Sequence, residues 1–102
     1  MVRVVISAPA DSDRRDILDY LAANAGYATA ERYNIAFRTV YSRLADFPDI
    51  GPPRPALGRN ARIALVHPFV IVYDHVDDTV TVLRVLHGRR DITRRLVRQT
   101  ER

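Results

Sequence analysis

The chain has 102 residues, 47% of them hydrophobic and 27% charged, and a formal net charge of +4. That length fits one domain with a modest core, one that buries about 60–70% of the surface the unfolded chain would expose. With no cysteine, a disulfide framework, a thiolate nucleophile and a cysteine-ligated zinc site are excluded. No apolar run approaches the roughly 18 residues a membrane span needs, and the opening MVRVVISAP is too short for a secretory apolar region, so a reducing cytoplasm is the expected location.

Residues 2–6 (VRVVI) are β-branched and predict an opening strand. Ser7 and Pro9 then supply a helix cap and a first-turn proline. Ile17, Leu18 and Leu21 recur at helical spacing between Asp11 and about Asn24, with Asp11 and Asp13 in the early turns where the helix dipole favours acids. Gly26 breaks this helix. A second helix runs from about Thr29 to Phe47, with the stripe Tyr33, Phe37, Val40, Leu44 and Phe47 on one face. The pair reads as an antiparallel hairpin, and its aromatic stripe reads as core.

Pro48 closes the second helix, and 48–60 (PDIGPPRPALGRN) is a proline- and glycine-rich loop. Three apolar runs follow at 61–66, 69–75 and 80–87, broken at His67-Pro68 and at Asp77-Asp78, which predicts a β-meander. After Gly88 the chain ends in a short helix around 91–98, with Ile92, Leu96 and Val97 inward, or in a tail. The whole is one α+β domain over 1–102: N-terminal strand, two-helix hairpin, three-stranded antiparallel meander, short C-terminal element.

Two features of the last strand bear on function. The run 80–87 is apolar on both sides of the pleat, with Val82, Arg84 and Leu86 on one face and Leu83 and Val85 on the other. Two helices cover only one face of so small a sheet. The second face is therefore hidden by the C-terminal segment, another copy or a partner, and a partner is favoured. Charge is also uneven. All 16 basic residues are arginine; seven lie from Arg84 onward against Asp91 and Glu101, a net +5, while residues 1–83 carry net −1. Such asymmetry points to an acidic partner, nucleic acid or protein.

The element order together with VLRVLHGRRDI at 82–92 resembles the RelE/ParE toxin superfamily, and its ParE branch in particular. Further matching features are SAPA (7–10), ILDYLA (17–22), ERY (31–33), FPDIG (47–51) and PRP (53–55). Arg14 departs from the pattern, falling where the family has an apolar helix residue. The resemblance implies the toxin of a type II toxin–antitoxin system, in the cytoplasm, with no cofactor. It also implies a ParD-like antitoxin partner in a 2:2 or higher hetero-oligomer, and DNA gyrase as the target.

Arg84, set among apolar neighbours, calls for a carboxylate or phosphate partner, and an acidic antitoxin side chain would provide one. Val82, Arg84, Leu86, Arg89 and Arg90 are accordingly the expected antitoxin- or target-binding set, and Gly88 is expected to permit a tight bend through positive φ. RNA cleavage needs a base, an acid and a cation. Were the chain a ribonuclease, Arg62, Arg84, His87 and Arg89 would carry the chemistry, but no tyrosine or histidine follows Gly88, which weakens that reading and leaves the expected catalytic set empty. Three alternatives stay open: a gyrase inhibitor acting by contact, a ribosome-dependent endoribonuclease, and a degenerate antitoxin-binding module. His87 is expected to bond a backbone group. His67, His75 and His87 lack metal-ligand spacing, and Asp77-Asp78 reads as a turn.

Overall fold

Helix initiation and strand pairing share one residue in this chain. A computed structural model describes residues 1–99; Arg102 and Glu101 of the basic tail lie outside the described residues. The elements are β1 (Arg3–Ile6), α1 (Ala8–Ala25), α2 (Tyr27–Asp46), a 3-10 turn (Pro55–Leu57), β2 (Ala61–Val66), β3 (Phe69–Val76), β4 (Thr79–His87) and α3 (Arg94–Arg98). Ser7 Oγ accepts the Ala10 N–H at 3.2 Å, capping α1, and donates to Leu83 O at 3.0 Å. Gly26, at φ 92°, separates the helices; an added Cβ there meets nothing within 4 Å, so backbone conformation is what requires glycine.

The sheet order is β1-β4-β3-β2. β2, β3 and β4 form the antiparallel meander, and β1 runs parallel to β4, Arg3 opposite Thr79 and Ile6 opposite Val82. The two strands are far apart in sequence and joined through the hairpin, as a parallel pair requires. Because β1 is short, it pairs only the first half of β4. The start of α1 covers the rest of that edge: Ser7 N–H reaches Val82 O at 3.0 Å, and the Asp13 carboxylate accepts Val85 N–H at 2.9 Å. An edge that would otherwise invite another strand is thereby closed.

The helices pack on one face of the sheet, over a core that includes Phe37, Leu44, Ile71, Tyr73, Val80, Val82 and Val85. Phe69 joins it through an edge contact with Tyr33 at 5.6 Å and a tilted ring contact with Phe37 at 5.9 Å. Phe47, the last member of the stripe, lies beyond the end of α2 and is 61% exposed, because the chain turns away at Pro48. The second face carries Val72 with Ala61, and Leu57 and Val97 close over them. Ile92 packs here too, at half burial.

Strict alternation fails in β4. Val72 pairs with Arg84 and Tyr73 with Val82, so Leu83 is an extra residue, a β-bulge. Val82 therefore sits under the helices with Val80 and Val85, while Arg84 stands opposite Val72 and Leu86 opposite Val70 on the second face. The expectation that Val82, Arg84 and Leu86 share a face is corrected on this ground. The chain's own C-terminal segment also covers part of the second face, where a partner had been favoured.

Candidate partner-binding site

The arginine of β4 has its carboxylate inside the chain. Arg84 donates from Nε to Asp13 Oδ2 at 2.7 Å and from Nη2 to Asp13 Oδ1 at 2.9 Å, and its Nη1 reaches Leu96 O at 3.0 Å. Both side chains are largely buried, 13% and 15% exposed. The hydrogen bonds to Asp13 hold the Arg84 guanidinium above its usual range, as a bidentate pair should. Arg84 thus staples α1, β4 and α3 together, and the idea that an outside acid must satisfy it is corrected. Its sequence separation of 71 from Asp13 hides the pairing from any local reading.

Arg98 does the same for α3. It forms a bidentate pair with Asp74 at 2.7 and 2.9 Å and donates to Leu57 O at 3.0 Å. Sequence reasoning gave Arg98 no such weight. The only signal was its position one residue after the inward Val97, too weak to name Asp74.

The four residues that a ribonuclease would use do not all converge: His87 and Arg89 share one end of the sheet, and Arg62 and Arg84 do not join them. Arg62 binds loop 48–51 through Asp49 O, Gly51 O and the Asp49 carboxylate. It pairs across the sheet with Tyr73, whereas His87 pairs with Phe69, four residues further along β3, roughly 13 Å at the rise of a strand. Arg84 is bound to Asp13. His87 Nδ1 accepts the Arg89 N–H at 3.0 Å, so its other ring nitrogen carries the proton in the neutral form, and the ring meets Phe69 edge-on at 5.6 Å.

Gly88 lies in a turn closed by Arg90 N–H to His87 O at 3.0 Å. Positive φ is found at Gly26 and Gly58 and not at Gly88, so the expected reason for this glycine is replaced. Its N–H donates to Pro68 O at 2.8 Å, and a Cβ would stand 2.9 Å from that oxygen. Close approach of two turns, rather than an unusual dihedral, requires glycine here.

Arg14, His75 and the Asp77-Asp78 pair have structural roles. Arg14 is half-buried and donates to Asn34 Oδ1 at 2.9 Å and Asp11 Oδ1 at 3.1 Å. His75 places Nδ1 2.7 Å from Asp49 Oδ1 and Nε2 2.9 Å from Asp77 O; the His75 hydrogen bond holds the Asp49 carboxyl below its ordinary range. Asp77-Asp78 turns β3 into β4, with Asp77 at φ 54°. No cluster of three metal-binding side chains occurs among the described residues.

What is left open lies at one end of the sheet. A hollow of about 560 Å³ on the second face has Leu65, His67, Phe69, Val70, His87 and Arg89 among its lining residues. It adjoins a groove of about 360 Å³ that shares Phe69 and His87 and is walled by Ile17, Tyr20 and Tyr33 of the hairpin. Leu65 is 63% exposed and Tyr20 66%. Arg89 and Arg90 stand exposed at the rim. Along the outer edge of β2, Arg54 N–H bonds Ala61 O and Ile63 N–H bonds Pro52 O. The same alternation turns the backbone of Leu65 outward, with no backbone partner among the described residues. Of the expected binding set, Val82 and Leu86 are buried within the chain, Arg84 is paired, and Arg89 and Arg90 are accessible.

Fold and site together define a small α+β protein with a helix-covered face, a half-open apolar face and a cationic rim. The family model described as ParE toxin of type II toxin-antitoxin system, parDE, matches residues 4–92. The chain is 28% identical over 100 residues to Toxin ParE3 of Caulobacter vibrioides, an alignment spanning 98% of this chain and all of that protein. Its fold is similar to that of a chain in a solved structure titled as the chromosomal ParDE TA system from P. aeruginosa. That likeness has a TM-score of 0.64 and 18% identity, and covers 85% of this chain and 96% of the other. This chain belongs to the ParE toxin family of type II toxin–antitoxin systems.

Proposed function

We propose that this ParE-type toxin acts in the cytoplasm by contact with DNA gyrase, and that a ParD-like antitoxin neutralises it by occupying the half-open face. The observation that carries the gyrase reading over RNA cleavage is the engagement of Arg62 and Arg84 by carboxylates of the chain itself, which leaves Arg89 as the one arginine of the expected catalytic set at the hollow it shares with His67 and His87. A toxin of this family whose candidate cations are engaged in this way is best read as acting by binding. For the antitoxin, the support is complementarity. Leu65, Val70 and Tyr20 offer apolar anchors, the outward backbone of Leu65 offers strand pairing, and Arg89 and Arg90 offer charge to an acidic amphipathic segment. Such a segment is expected to assemble with the toxin as a hetero-oligomer of 2:2 or higher order.

The test is supercoiling of relaxed plasmid by purified gyrase with the toxin added, alongside primer extension on cellular mRNA. Inhibition of supercoiling with intact mRNA is expected, and an antitoxin from the same operon should reverse it. Unimpaired supercoiling with cuts inside ribosomal A-site codons would replace the gyrase reading by the ribonuclease one.

A further inference from the structure

The arginines from Arg84 onward divide into two kinds. Arg84 and Arg98 are held by Asp13 and Asp74. Arg89, Arg90, Arg94 and Arg95 are exposed, and none of the six ion pairs among the described residues includes them. Four guanidinium groups thus stand within seven residues, and Asp91 is the one acid in that stretch. Such a concentration of like charge opposes folding. The pairs made by Arg84 and Arg98 show that the same segment accepts compensating acids where the fold needs them.

The apolar side chains of this segment do not share the surface. Val97 is buried, and Ile92 packs with it against the second face of the sheet. Around Arg94 and Arg95 the neighbours Asp91 and Thr93 are exposed and polar. An acidic amphipathic protein segment needs apolar anchors as well as charge, and it finds both at the hollow beside Leu65. A phosphate backbone needs only charge and guanidinium donors. Arg94 and Arg95 also lie beyond the residues 4–92 that the family model matches, so the shared family pattern does not account for them.

We propose that Arg89, Arg90, Arg94 and Arg95 form a sequence-independent contact for the phosphate backbone of duplex DNA. The proposal does not rest on gyrase being the target: it concerns DNA binding by the toxin alone.

Fluorescence anisotropy of an arbitrary 30-base-pair duplex, titrated with the full chain at 50 to 200 mM salt, tests it. Each phosphate neutralised contributes about 0.9 to the slope of log affinity against log salt, so four contacts give a slope near −3.6 and roughly a hundredfold loss across that range. Arg94→Gln with Arg95→Gln should about halve the slope. Arg32→Gln with Arg38→Gln removes the same charge from exposed positions of α2 and should leave the slope unchanged. Should the first pair disturb folding by thermal melt, Arg89→Gln with Arg90→Gln makes the same measurement. Equal losses in the α2 control and the C-terminal variants would overturn the proposal. So would the absence of salt-sensitive binding at 50 mM, or binding of a polyglutamate peptide without binding of the duplex.

Discussion

The two faces of the sheet are closed by different means. On one, two helices of 18 and 20 residues bury Phe37, Leu44 and Tyr73 completely. On the other, a three-residue turn and a five-residue helix are held by the pairs Arg84–Asp13 and Arg98–Asp74, with Leu57, Val97 and Ile92 as the apolar cover among the described residues. The first face is maintained by area removed from water. The second is a light cover pinned by charge, and it ends before Leu65. The difference teaches where a partner can act: the helical face is closed except for the groove beside Tyr20, while the second face is left half finished.

Trimming each face should separate the two. Phe37→Ala removes a ring at the centre of the helical core and is expected to cost about 3–5 kcal/mol in urea unfolding, enough to threaten the fold of so small a domain. Asp13→Ala leaves the Arg84 guanidinium and the Val85 N–H without their acceptor, at about 2–3 kcal/mol. Asp74→Ala should cost less, because the Arg98 side chain is 32% exposed and water can take over part of the pair. If Asp74→Ala proved the more damaging, Arg84 would not be the principal staple.

Val97→Ala, on the lighter face, is expected to lose about 1.5 kcal/mol on methylene burial alone. The same truncation at Val82 should lose more, since the long helices cannot settle into the space whereas α3 can. Equal losses at the two positions would erase the distinction between a rigid face and an adjustable one.

The smallest effect is expected at the margin of the helical face, where Asp49, Arg62 and His75 hold loop 48–51. Asp49 has its folded-state pKa lowered, so the folded chain binds its proton less readily than the unfolded chain. Its contribution is present above the ordinary carboxylate range near pH 4 and is lost as pH falls through the lower folded value. An NMR titration should show shifts confined to loop 48–51 and the ends of β2 and β3. Shifts spreading into Phe37 and Leu44 would mean that the loop supports the core.

Much of this molecule is legible in its residue pattern. The run 61–66 coincides with β2, the runs 69–75 and 80–87 fall within one residue of β3 and β4, and the Ser7 cap with Gly26 brackets α1. These are local matters of spacing, capping and turn chemistry, which neighbouring residues settle among themselves. The family, too, could be read from the LHGRRD segment and the element order. The candidate site is less legible: the pattern marks Arg89 and Arg90 as part of a binding set but does not mark Leu65 and Tyr20, because an exposed apolar residue within a regular pattern looks like a core one.

Two matters belonged to the tertiary structure alone. One is the bulge at Leu83, a single unpaired residue that sends Val82 beneath the helices and leaves Arg84 and Leu86 on the opposite face. The other is the choice of Asp13 and Asp74 as partners for Arg84 and Arg98, across 71 and 24 residues. A period of two shows which residues alternate, not where the alternation slips, since the slip arises from pairing with another strand. Nor does a sequence show which acid meets which arginine, because the closed fold, and not the local spacing, brings those side chains within hydrogen-bonding distance.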